Sequence, residues 1–128
     1  MKEFKVYSEN KRGELARIAE ALAQSSVNIE AIASENSHPR SFLRIVTNDV
    51  NTTKKALSRE GYEFEEKNII VVDLIDRPGE LAKLAKRMAR AGVNIESIYL
   101  LEKARVALAV DKPDDAKKIL KAKYKGFI

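Results

Sequence analysis

The chain of 128 residues has no cysteine, one histidine and few aromatic residues. It also lacks any apolar run approaching the ~20 residues that a membrane-spanning helix needs. Without cysteine, disulfides and thiolate metal sites are excluded, and the composition suits a reducing cytoplasm, the expected location. The single histidine, His38, precedes Pro39 and reads as a solvated turn residue, so no set of side chains has metal-ligand spacing. There is no Ser/His/Asp or Cys/His set, and Glu30 and Glu96 supply one carboxylate per repeat, so neither nucleophilic nor acid–base catalysis has its groups. The expectation is a protein that is not an enzyme, with no metal and no cofactor. The opening "MKEFKVYSEN" alternates apolar and polar residues, which reads as a strand and not as a signal peptide.

What the chain does have is a duplication. Sliding the sequence along itself by 66 positions lays Gly13–Ile32 against Gly79–Ile98, and eleven of those twenty positions are identical. An internal repeat governs the reading of everything else. A unit of roughly 60 residues buries only about 60% of its unfolded surface and is marginal alone, so the halves are expected to pack together or to dimerise. The formal charge of +5 is uneven: residues 1–65 hold ten Lys/Arg and ten Asp/Glu, whereas residues 66–128 hold fourteen and nine. Much of the excess falls in "KLAKRMAR" and "KKILKAKYKGF", on the outward positions of predicted helices. That pattern reads as a solvated face, with an anionic partner as the alternative.

Each repeat shows one order of periodicities. Phe4, Val6 and Ser8 alternate, as do Ile70, Val72 and Leu74, and these predict strands. Leu15, Ile18, Ala19 and Leu22 recur at helical spacing, as do Leu81, Leu84, Ala85 and Met88, predicting amphipathic helices of about three turns. Gly92 suits a left-handed helix end, and Ser26 at the matching place suits it less well. Val27, Ile29 and Ala31, and Val93, Ile95, Ser97 and Tyr99, alternate again as second strands. "SHPR" at 37–40 and "EKAR" at 102–105 are turns into third strands, and the second hairpin is shorter by three residues. Second helices follow around Lys54–Leu57 and Lys117–Leu120. "GYEFE" supplies a last strand in the first unit, and "YKGFI" is a short candidate in the second. The order predicts an α+β chain of two ferredoxin-like βαββαβ units, residues 1–66 and 67–128, each an antiparallel sheet with its helices on one face.

That fold carries RNA binders, metal carriers and sensors alike. The third strands "FLRIVT" and "RVALAV" lack the aromatic platform of an RNA-recognition sheet, so tight nucleic-acid binding is not expected. The repeated turns "NKRGEL" and "DRPGEL" remain. Gly13 and Gly79 enter helices whose first amides lack partners and whose dipole favours an anionic group, and a missing side chain lets a ligand carboxylate approach. Asn10 and Asp76 can accept from an ammonium group, and Asn28 and Asn94 add a donor and an acceptor. A zwitterion needs that combination. The competing reading has Asn10 and Asp76 capping their helices, with Pro78 in the first turn and Gly only making the bend.

"DRPGELAKLAKRMARAGVNIESIY" resembles the ACT-domain signature, in which an acidic or amide residue followed by x-Pro-Gly opens the first helix and Val-Asn-Ile opens the second strand. The resemblance covers both repeats, and the chain is similar to small stand-alone pairs of ACT units. It implies units that pair, homo-oligomers, and binding of amino acids or similar small zwitterions at interfaces between units. In serine-sensing phosphoglycerate dehydrogenases the ligand is held by the turn residue and by the Asn of the strand start. The resemblance carries these roles to Asn10 and Asn28, and by the repeat to Asp76 and Asn94, beside Gly13, Pro78 and Gly79. Arg12 departs from the usual Pro and brings a guanidinium that could hold an acidic ligand. The implied function is an amino-acid-binding regulatory sensor acting on a separate, unidentified metabolic enzyme or regulator. The alternatives are an ACT scaffold that has lost its ligand, or a basic nucleic-acid-binding module. No membrane partner is expected.

Overall fold

The computed structural model describes residues 1–36 and 40–123, with backbone alone for 121–123. The expected hairpin turn around His38 and the candidate strand "YKGFI" at 124–128 lie outside the described residues. The chain divides into two compact units between Asn68 and Ile69.

The first unit runs β1 (Lys2–Ser8), α1 (Glu14–Gln24), β2 (Ile29–Asn36), β3 (Ser41–Thr47), α2 (Val50–Arg59) and β4 (Phe64–Asn68). Its sheet has the order β2-β3-β1-β4, with every neighbouring pair antiparallel. Alternation in β1 and β3 turns Phe4, Val6, Leu43 and Ile45 towards the helices, where they meet Ile18, Leu22 and Leu57. Burial of such side chains contributes about 1.5–3 kcal/mol each. Asp49 caps α2 by accepting from the Thr52 amide at 3.2 Å. Beneath it, the buried Thr47 and Thr53 hydroxyls share a hydrogen bond of 2.9 Å, which satisfies both away from water.

The second unit runs β5 (Ile70–Asp73), α3 (Glu80–Arg90), β6 (Ile95–Leu100), β7 (Arg105–Val110) and α4 (Pro113–Lys123), with sheet order β5-β7-β6. Ile70, Val72, Val106 and Leu108 pack against Leu84, Met88 and Leu120. The shorter hairpin closes through a 3₁₀ turn, Glu102–Ala104, in which Lys103 and Ala104 take φ of 59° and 57°. No helix among the described residues is long and apolar enough to cross a membrane. The architecture is two tandem ferredoxin-like units, as the periodicities predict.

Two details differ from the sequence reading. Leu15 and Leu81, expected on the buried helix faces, are 55% and 42% exposed, because each sits at the first turn, beyond the edge of the core. The second strands do not alternate throughout. Ile29 pairs with Thr47 but Ala31 pairs with Val46, and likewise Ile95 with Val110 but Ser97 with Ala109. Glu30 and Glu96 are therefore the extra residues of β-bulges, and each bulge reverses the faces that follow it. Ala31 shares the face of Val46, away from the helices, while Ile32 pairs with the core residue Ile45.

Candidate functional site

The backbone of the two repeated turns is nearly the same. Gly13 and Gly79 stand immediately before α1 and α3 with φ of 87° and 91°, left-handed values that favour glycine. The Glu14 amide donates to the Lys11 carbonyl at 3.3 Å, and the Glu80 amide to the Arg77 carbonyl at 3.4 Å. Arg12 and Pro78 occupy the matching position without changing that path.

Neither helix has a side-chain cap. Asn10 and Asp76 are exposed and, among the described residues, make no side-chain hydrogen bond, so the capping explanation for these two residues does not hold. Asn10 lines a cleft of about 740 Å³ at the end of the first unit, within the usual size of a small-molecule site. Its other walls include Tyr7 on β1, Glu14 and Arg17 on α1, Arg40 just before β3, and Tyr62 in the turn into β4.

Asn28 and Asn94 are elsewhere. Each follows an 11-residue helix that begins at the glycine turn, and such a helix is about 16 Å long. Asn28 and Asn48 both donate to Glu30 Oε1, at 3.3 and 3.0 Å. The Asn94 amide donates to Asp111 Oδ1 at 2.8 Å, and its carbonyl accepts from the Asp111 amide at 3.1 Å. Within one unit, then, the turn residue and the strand-start asparagine lie at opposite ends of the same helix.

The sequence reading passed over Glu14, Glu80 and Tyr62. Both glutamates are buried in the first turn of a helix. Arg77 Nε donates to Glu80 Oε1 at 2.6 Å and Lys83 Nζ stands 3.4 Å from the same oxygen; the Arg77 hydrogen bond leads in holding the Glu80 carboxyl below the usual carboxylate range. Tyr62 Oη is buried without a hydrogen-bond partner among the described residues. Burial, and after it the neighbouring Glu14 carboxylate, push the Tyr62 phenol up to about 12. The available signal was the repeated "GEL", whose glutamate is invariant between the two copies. Among the described residues, no three His, Asp or Glu side chains converge to hold a metal.

Residues 1–128 match the ACT domain pair family. Among solved structures, a protein of Bacteroides thetaiotaomicron superposes with a TM-score of 0.89 at 25% identity, over 99% of this chain and 90% of that one. The ligand-free regulatory subunit of aspartate kinase from Thermus thermophilus gives 0.71 at 21% identity, over 94% and 87%. The corresponding subunit from Thermus flavus gives 0.68 at 21%, over 94% and 88%. No curated protein sequence matches the chain. With both units, both glycine turns and its whole length accounted for by that family, the chain belongs to the ACT domain pairs.

Proposed function

We propose that this protein is an amino-acid-binding regulatory protein, a sensor with no catalytic role of its own that acts on a separate metabolic enzyme or regulator. The observation that carries the reading is the pair of helix starts, each opened by a left-handed glycine and left without a side-chain cap. Such a start presents free backbone amides and a favourable dipole to a ligand carboxylate. Asn10, Arg12 and Gly13 flank one start, and Asp76, Pro78 and Gly79 the other. Asn28 and Asn94, at the far helix ends, would serve a ligand held against a different turn. The likeness to subunits described as regulatory supports the same direction. Exposed apolar side chains at Leu15, Ile32, Leu81 and Ile98 support working as a homo-oligomer.

The test is calorimetric titration of the twenty amino acids into the wild type and into Asn10→Ala, Asn28→Ala, Asp76→Ala and Asn94→Ala. In a copy that binds, each alanine is expected to weaken affinity by about 1.5–3 kcal/mol, the scale of a hydrogen bond to a charged group, or roughly tenfold to a hundredfold. Because neither turn residue caps its helix, Asn10→Ala and Asp76→Ala are expected to change stability by no more than about 0.5 kcal/mol. Unchanged affinity in all four variants overturns the assignment of these residues, and no heat with any amino acid overturns the function.

A further inference from the structure

Glu14 and Glu80 are the same residue at the same place in the repeat, 8% and 7% exposed. A carboxylate so enclosed needs a counter-charge. Glu80 has two, Arg77 and Lys83. The residues 66 positions earlier, Lys11 and Arg17, are also cations, yet neither reaches Glu14. Lys11 Nζ lies 3.1 Å from Glu9 Oε2. Arg17 Nη2 donates to the Glu60 carbonyl at 2.9 Å, and its guanidinium lies 5.0 Å from the Tyr62 ring centre. The remaining cation of the cleft wall, Arg40, donates to Glu63 Oε2 at 2.9 Å. Among the described residues, each cation lining the cleft is thus committed to another acceptor, and Glu14 has none.

Tyr62 adds a second group at the same wall: its buried hydroxyl has no partner at hydrogen-bond geometry among the described residues, and, after burial, the Glu14 carboxylate is the acidic neighbour that helps to raise its phenol pKa. The other carboxylates of the cleft wall, Glu9, Glu60 and Glu63, are held by Lys11, Arg17 and Arg40. Glu14 with a phenol is a poor set of ligands for a metal ion, which takes several oxygens. It suits an N–H donor carrying one positive charge, with the carboxylate and the phenol oxygen as acceptors.

We propose that Glu14 and Tyr62 form an ammonium subsite in the cleft of the first unit, which takes the protonated amine of a small molecule. In the second unit the Arg77 guanidinium already fills the equivalent place on Glu80, so the subsite exists once per chain. The inference rests on the amino-acid reading for the identity of the ligand and adds to it the half of the zwitterion that is read and the unit that reads it.

The experiment uses the full chain and whichever amino acid gives the largest rise in melting temperature. Its affinity is compared with that of its N-acetyl derivative, and across Glu14→Gln, Tyr62→Phe, Glu80→Gln and Lys11→Arg. The N-acetyl form and Glu14→Gln are expected to bind about tenfold to a hundredfold more weakly, Tyr62→Phe is expected to lose less, and Glu80→Gln to keep wild-type affinity. Lys11→Arg installs the guanidinium that the second unit uses, and is expected to weaken binding while preserving the fold, so it decides the matter if Glu14→Gln does not fold. Equal affinity for the N-acetyl form, or wild-type affinity in Glu14→Gln, overturns the subsite while leaving an amino-acid sensor intact. If no amino acid binds, methylammonium chloride is titrated while the Tyr62 ring resonances are followed by NMR. A saturable shift that disappears in Glu14→Gln supports the subsite without the amino-acid function, and no saturable shift overturns both.

Discussion

The two units follow the same backbone path through the turn and use different charges inside it. Gly13 and Gly79 take the same left-handed conformation, and the amide of the following glutamate reaches back to the same carbonyl, although one turn contains Arg12 and the other Pro78. In the second unit the buried glutamate is closed off by Arg77 and Lys83. In the first, Lys11 and Arg17 turn to Glu9 and Glu60. The backbone route depends on a glycine that both copies keep, whereas a change of partner for a long cationic side chain needs only an acidic residue nearby. Duplicated units can therefore share a fold and differ in which of them has an open site.

The largest test of this comparison lies in the cores. Ile18 and Leu84 occupy matching helix positions and are fully buried. Ile18→Ala and Leu84→Ala are each expected to lose about 2–5 kcal/mol in denaturant unfolding, with hydrogen exchange assigning each loss to its own unit. A clearly smaller loss in one would show that the two cores are not equivalent. The turns come next. Apart from chain neighbours, no described residue comes within 4 Å of a methyl group built on Gly13 or Gly79, so the main cost of Gly13→Ala and Gly79→Ala is backbone strain. Each is expected to cost about 1–2 kcal/mol by thermal unfolding, and unequal costs would break the claim of a shared turn.

The smallest effect concerns Tyr62, in the first unit alone. Its phenol pKa is raised from 10.0 to about 12 in the folded protein, so the protonated hydroxyl contributes stability that is fully present below pH 10. That contribution is lost as pH climbs from 10.0 to about 12, where the native phenol ionises. Denaturation midpoints measured across this window are expected to fall more steeply for wild type than for Tyr62→Phe. Parallel profiles would mean that the hydroxyl is not held in its neutral form.

Much of the fold was legible in the sequence because it is written in short-range patterns. The alternation of Phe4 and Val6, the helical spacing of Ile18 and Leu22, and glycines at 13, 79 and 92 each act within a few residues, and all three glycines do take positive φ. Ser26 takes φ of 57° at the place of Gly92, so the duplicated path imposed a left-handed conformation on a residue less suited to it. The exposure of Leu15 was not legible, because periodicity gives the face of a helix and not where the core ends along it. Glu14 and Tyr62 meet only after α1, the sheet and α2 have folded. No local spacing joins residues 48 positions apart. The placement of Asn10 and Asn28 was obscured for the converse reason, since closeness in sequence hid the helix that holds them apart.

The bulges at Glu30 and Glu96 act like a shifted reading frame. Each adds one position to a strand whose message is carried in steps of two, so everything downstream is read on the opposite face. The same shift stands at the same place in both copies, and the offset of 66 holds across it. A deletion of Glu30 would remove the bulge and restore simple alternation, with Ala31 still opposite Val46 and Ile32 still opposite Ile45. Keeping Glu30 in unbroken alternation would instead set Ala31 opposite Ile45 and turn Ile32 to the other face.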